Sequence, residues 1–348
     1  MPAIVLHAAI GLLPVLAFLA ALLYLDSYKL VRLRVVIAIV AAGVAVAYVC
    51  YFVNGYLLGL AAIDFTTFSR YVGPVVEELA KALVIVALIR SNRIGFLVDA
   101  AIAGFAVGTG FAIIENLFYQ QLASGAGLGT WIVRGFGTAI MHGGTTAIFA
   151  VLSLSIIERS RNTSFAAFVP GFALAVVLHS AFNHLTGSPR LATLAVILVL
   201  PPVLYAVFER SERAVAQWLG HGFDADTKML ESITSGHFPD SPAGQYLASL
   251  RDRFKGAIVA DLLCYLRLHT ELALRAKGIL MMRENGFDAA IDDATRDKFV
   301  EMRYLERSVG KTGRLAVVPL LQSSSKDVWQ LKMLESEALD GVARQAAA

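Results

Sequence analysis

Glu77, Glu78 and Lys81 open the otherwise apolar run 75–89, Glu115 stands beside Asn116 in a second such run, His142 lies in a third, and His179 with Asn183 in a fourth. An ionised side chain at mid-depth of a bilayer costs roughly 2.5 to 3.5 kcal/mol on insertion scales, so groups like these need partners, water or a chemical task. Carboxylates and imidazoles in a water-accessible membrane cavity suit a glutamate that takes a proton from water. They equally suit a metal centre such as zinc, since both are zinc ligands and three protein groups plus a water make a hydrolytic site. Either arrangement would hydrolyse a peptide bond, with a histidine, an asparagine or the metal stabilising the oxyanion.

The rest of the chain must supply elements that bring these groups together. Its 348 residues are 57% hydrophobic and 16% charged, with a mean hydropathy of +0.65. Soluble proteins average about 45–50% apolar and 25% charged, so the composition predicts an all-α, polytopic membrane helix bundle. The formal charge of +3 is too small to point to nucleic acid. Cys50 and Cys264 have neither pairing nor metal-ligand spacing.

Seven segments reach the roughly 17 to 25 residues that a bilayer core asks of a helix, near 2–25, 35–60, 73–90, 97–120, 134–157, 165–186 and 191–208. The first lacks a basic leader and a small-residue cleavage site, and reads as a retained span. Lys29, Arg32 and Arg34 fall in the first connection, Arg90 and Arg93 in the third, Arg159 and Arg161 in the fifth, and Arg210 and Arg213 after the last span. The even-numbered connections hold Arg70, Arg134 and Arg190 singly. The positive-inside rule then puts the N-terminus outside and the C-terminus in the cytoplasm.

Two domains are expected: a membrane domain over 1–209 that carries the polar groups, and a cytoplasmic helical domain over 210–348 of unassigned role. In the second, an apolar stripe from Ile258 to Leu280 marks one helix, 288–308 another ending near Gly310, and 220–222, 235–236 and 323–325 read as turns. Its scattered His221, His237 and His269 read as surface or packing groups. The glycine-rich connection 122–130 reads as an outer loop, and Gly104, Gly108 and Gly110 as close-approach points for neighbouring helices. Tyr119, Phe118 and Trp131 suit the membrane interface.

A helix rises about 1.5 Å per residue, so position within each span gives depth. Glu77, Glu78, Glu115, His142 and His179 all come out roughly 5 to 12 Å beneath one face, although successive spans run in opposite directions. Glu77 and Lys81, Glu78 and Lys81, and His179 and Asn183 share helix faces by their spacings of four, three and four. Asn183 could orient the His179 imidazole or face an oxyanion, and Lys81 could hold the carboxylates ionised. His184 points to another face.

At these residues the sequence resembles the PrsW family of intramembrane proteases, within the wider group that includes the CAAX prenyl endopeptidases. The matching motifs are Glu77-Glu78-x-x-Lys81, Phe111-x-x-x-Glu115 with Asn116, and His179-x-x-x-Asn183, with His142 between the last two. The resemblance implies cleavage of membrane-protein substrates near the outer face of a bacterial cytoplasmic membrane, with an anti-sigma factor as the type of substrate. It implies Glu77 as the leading water-activating base, Glu78 as its partner, Glu115 and His179 as catalytic or metal-binding, and a metal set of His142, His179 and Glu115. The CAAX enzymes have histidine where Glu115 stands, so their mechanism does not transfer directly. A non-catalytic membrane scaffold and an ion-coupled transporter using the same cluster are the alternatives; the absence of inverted repeats speaks against the transporter.

Overall fold

A computed structural model describes residues 2–345 apart from 62, 123, 124, 161, 162, 186, 187, 288, 290 and 322–324. The connection 122–130 and the turn at 323–325 fall partly outside the described residues, as does Arg161. Among the described residues there is no strand. The backbone divides into two compact units, Met1–Glu212 and Arg213–Ala348.

The first unit contains α1 (Pro2–Leu25), α2 (Leu33–Leu60), the short α3 (Phe65–Thr67), α4 (Gly73–Arg90), α5 (Leu97–Leu122), the short α6 (Leu128–Ile132), α7 (Ile140–Ser160), α8 (Val169–His184) and the first part of α9 (Pro189–Thr234). Two wide π-helical turns, Phe68–Val72 and Val133–Ala139, lead into α4 and α7. Among the described residues, six helical stretches are long and apolar enough to cross a membrane: Val5–Leu25, Leu33–Leu60, Leu97–Leu122, Leu128–Ser160, Phe165–His184 and Pro189–Thr234. The seventh expected span is α4, which stands apart because Glu77, Glu78, Lys81 and Arg90 interrupt its apolar sequence.

α5 forms the centre of this unit. Ala100, Ala101, Ile102, Phe105, Ala106 and Val107 are completely buried on it, and it packs against α7, α2 and α1. Its glycines set the spacing. A Cβ on Gly104 would stand 2.6 Å from the Cα of Ala147, one on Gly108 2.2 Å from the carbonyl oxygen of His142, and one on Gly110 2.0 Å from that of Val40. Backbones approach this closely only where a side chain is missing. At the far end of α5 from Glu115, Asp99 accepts from the backbone N–H groups of Gly95 and Phe96, and Ser211 accepts from that of Val98. These bonds satisfy the free donors of the helix start.

The second unit contains the remainder of α9 with α10 (Pro242–Ser249), α11 (Gly256–Glu284), α12 (Asp293–Val317) and α13 (Ser325–Gln345). The expected apolar stripe is the buried face of α11, including Leu262, Leu266, Ala273 and Leu280. α12 starts later than expected, where Asp292 caps it by accepting from the Thr295 N–H at 2.9 Å. It is broken at Gly310 (φ 66°) yet resumes to Val317. The turn expected at 220–222 is absent, because these residues continue α9. Gly222 serves packing there: its missing Cβ would be 2.6 Å from Cε of Lys277. Lys277 is buried, pairs with Asp226 at 2.6 Å, and lies over the Trp218 ring.

Candidate active site

Successive helical residues point about 100° apart, and at the start of α4 this separates the two glutamates. Glu77 faces a cavity of about 1000 Å³, and Asn54 of α2 donates to its Oε1 at 3.1 Å. Glu78 turns into the protein and is 2% exposed. Its Oε1 accepts from Lys81 Nζ at 2.6 Å, from His179 Nδ1 at 2.9 Å and from Thr145 Oγ1 at 3.2 Å.

Lys81 is wholly buried and lies 4.6 Å from the centre of the Phe111 ring. Its Nζ is also 3.1 Å from His142 Nδ1. A lysine ammonium has only donors, so Nδ1 is the acceptor, and the remaining ring N–H of His142 donates from Nε2 to Glu115 Oε2 at 2.9 Å. By the same logic His179 donates from Nδ1 to Glu78 and keeps a lone pair on Nε2, which lies 3.9 Å from Glu77 Oε2. The two imidazoles meet edge to face with centroids 4.8 Å apart.

The expected residues therefore divide. Glu77, Glu78, Lys81, Glu115, His142 and His179 form one connected group drawn from α4, α5, α7 and α8. Asn183 lines the cavity, but its Nδ2 donates to the carbonyl of Ser69 at 2.8 Å. The partner that orients the His179 ring is Glu78, whose position on α4 places its carboxylate against Nδ1. Asn116 is buried and joins the group indirectly, donating to the Gly11 carbonyl at 2.8 Å and accepting from Arg134 Nε at 2.7 Å.

The donors gathered for a metal differ from the expected His142, His179 and Glu115. Glu77, His142 and His179 each offer one ligand atom, all within 4.8 Å of one another. Glu115 is instead shared between His142 and Arg134, whose guanidinium approaches Oε2 to 3.1 Å. Two imidazoles and a carboxylate are a known zinc donor set, and tetrahedral zinc with bonds of about 2.0–2.1 Å holds its ligand atoms about 3.4 Å apart. The three residues fit such an ion by drawing inward.

Arg134 and Asn54 complete the cluster beyond the residues singled out from sequence, and Thr145, expected only as a packing and hydrogen-bond neighbour of His142, also donates to Glu78. Arg134 had a usable signal: it lies near the start of its span, at a level close to that of Glu115, but counting basic residues for orientation absorbs it as a connection charge. Asn54 is an ordinary polar residue in an apolar helix and carries no such signal. Trp131 is buried and stacked on His7, with centroids 5.4 Å apart.

No curated protein and no solved structure shows a significant match to the chain. Residues 31–208, just over half of the chain and including every member of the connected group, match the PrsW family of intramembrane metalloproteases. An integral membrane protein by its apolar helices, the chain belongs to that family.

Proposed function

We propose that the chain is an endopeptidase that cuts membrane-protein substrates near the external face of a bacterial cytoplasmic membrane, its N-terminus outside and its C-terminus in the cytoplasm. In this reading Met1–Glu212 is the protease domain, and anti-sigma factors are the type of substrate that the family likeness suggests. The observation that carries the proposal is the convergence of Glu77, His142 and His179, from three helices, on one cavity.

These three residues would hold a zinc ion. When bound, the ion supplies a Lewis acid for the scissile carbonyl and an acidified water. Glu78 orients His179 through Nδ1 and leaves Nε2 as the donor, the carboxylate–histidine arrangement typical of zinc sites. Its three donors saturate the oxygen facing them, so Glu78 is an orienting group and not a second base. Glu115 is the other carboxylate on the cavity; it takes the proton of the attacking water and passes it to the departing amine. Lys81 compensates the buried charge of Glu78, and Asn183 secures α8 beside the cavity through Ser69.

A metal-free reading is favoured by one observation. Both ring nitrogens of His142 are already engaged, by Lys81 and by Glu115, so an ion must displace one contact. Without metal, Glu77 is the water-activating base, held in place by Asn54. Purified protein in nanodiscs, presented with a library of transmembrane-segment peptides, tests both. Cleavage lost on chelation, restored by zinc and absent in Glu77→Gln is the expected result. Cleavage that survives chelation but not Glu77→Gln selects the metal-free form. Cleavage by Glu77→Gln at the wild-type rate rejects both, and a wild-type chain inert toward every peptide favours the scaffold.

A further inference from the structure

The proposed mechanism gives Arg134 no task, yet the fold holds this residue firmly. Its Nε donates to Asn116 Oδ1, and Asn116 is in turn tied to the Gly11 carbonyl of α1. Its guanidinium carbon lies 3.7 Å from the centre of the Tyr119 ring, a stacking geometry that suits arginine better than lysine. The π-helical turn that carries it presses against α1: a Cβ on Gly135 would stand 2.0 Å from the carbonyl oxygen of Ile10. The guanidinium is therefore fixed from the α1 side, independently of any substrate.

What it reaches is Glu115 Oε2, the same oxygen that accepts from His142 Nε2. The Arg134 contact is an ion pair at 3.1 Å without hydrogen-bond alignment, beside the hydrogen bond from His142. A carboxylate drawn at one oxygen from two directions has its second oxygen aimed, whereas one held by His142 alone can swing. We infer that Arg134 is a positioning residue that aims the Glu115 carboxylate and, through it, the His142 ring, without touching the substrate. This inference rests on the proposed protease reading and assigns a function to a residue outside the family motifs. The rival role is a substrate contact, because Arg134 also lines the cavity.

The two roles separate kinetically. A group acting through Glu115 changes kcat, whereas a ground-state substrate contact changes KM. The test compares wild type, Arg134→Gln, Arg134→Lys, Glu115→Gln and the Arg134→Gln/Glu115→Gln double variant in nanodiscs. Cleavage kinetics use one peptide from the library, zinc affinity is read by competition with a chromophoric chelator, and thermal unfolding verifies that each variant is folded.

Loss of an outer partner of a metal ligand typically costs about 10- to 100-fold. Arg134→Gln is expected to lower kcat by about that factor with KM within about twofold of wild type, and to weaken zinc binding. Arg134→Lys is expected to recover part of kcat, because it restores charge without the fork. The double variant is expected to be no slower than Glu115→Gln alone, since residues acting as one unit are non-additive. A rise in KM at unchanged kcat, fully additive losses, or an unaltered Arg134→Gln would each overturn the inference while leaving the protease reading intact. A wild-type chain that cleaves nothing and binds no zinc overturns both.

Discussion

Replacing Gly108 by alanine tests whether backbone spacing, more than any polar contact, sets the distance between the proposed reacting groups. The added Cβ would stand 2.2 Å from the carbonyl oxygen of His142, 2.5 Å from its carbonyl carbon and 2.6 Å from Cα of Gly143. These are backbone atoms and cannot rotate away. Ordinary van der Waals contact begins near 3.4 Å, so α5 and α7 must part by a little over 1 Å at His142. The bond from His142 Nε2 to Glu115 Oε2, now 2.9 Å, would then open to about 4 Å, beyond hydrogen-bond range. Overpacking of this kind costs about 1 to 3 kcal/mol of stability, but a 1 Å misplacement in a catalytic site costs about 100-fold in rate.

Peptide cleavage and thermal unfolding, measured together in nanodiscs, separate the two effects. Gly104→Ala overpacks the same helix pair one turn away from the site, where its Cβ would meet Cα of Ala147 at 2.6 Å. It is expected to lower Tm comparably with a much smaller loss of kcat. Gly59→Ala, with nothing within 4 Å of its Cβ, is expected to change neither. Equal kcat losses in Gly104→Ala and Gly108→Ala would refute the reasoning, since the effect would then be general destabilisation. So would a Gly108→Ala enzyme that cleaves at the wild-type rate.

Two further outcomes follow from buried charge. Glu78→Gln strips the counter-charge from Lys81, which is wholly buried; breaking a buried pair from one side costs about 3 to 5 kcal/mol. The variant is expected to unfold at lower temperature, and Glu78→Gln/Lys81→Met to regain stability but not cleavage; a Glu78→Gln protein as stable as wild type contradicts the pairing. In the second unit, burial pushes the half-buried His269 down to about 4 from its usual 6.5, with Asp327 opposing and Lys277 adding to the shift. Between pH 6.5 and 4 the unfolded chain binds more protons there, so this unit loses stability as pH falls through that window, by at most about 3 to 4 kcal/mol. Hydrogen exchange over 256–284 in the full chain, corrected for intrinsic rates, is expected to quicken at pH 5 relative to 7.5 and to do so less in His269→Gln; equal protection at both pH values counts against it.

The shared level of these groups was readable from the sequence because the helical rise turns a count of residues into a distance from the end of a span. That is why groups on four helices could be expected at one level before any fold was known. Direction around each helix was not readable. A helix apolar on all sides has no polar face to mark its orientation, so adjacent Glu77 and Glu78 look alike until α7 and α8 are packed beside them. Thr145 and His179 then define which glutamate is enclosed, and Asn54 defines which one meets the cavity. Gly222 illustrates the same limit in the second unit: a glycine pair that locally reads as a turn is retained inside a helix because a distant lysine needs the space.

The charge pattern of α4 follows from this division. A segment carrying four charged residues can reside among apolar helices only if most of that charge is answered within the protein. Lys81 answers Glu78 less than one turn away, and Thr145 and His179 supply the remaining donors, so that pair forms a neutral, hydrogen-bonded unit. Among the described residues Glu77 receives one amide donor, from Asn54, and its ion-pair-range neighbour is the uncharged Nε2 of His179 at 3.9 Å. The helix thus delivers one under-compensated carboxylate to the cavity, next to the imidazole nitrogen that Glu78 has left unprotonated. A divalent cation, or the proton of an attacking water, is the species that relieves both groups at once.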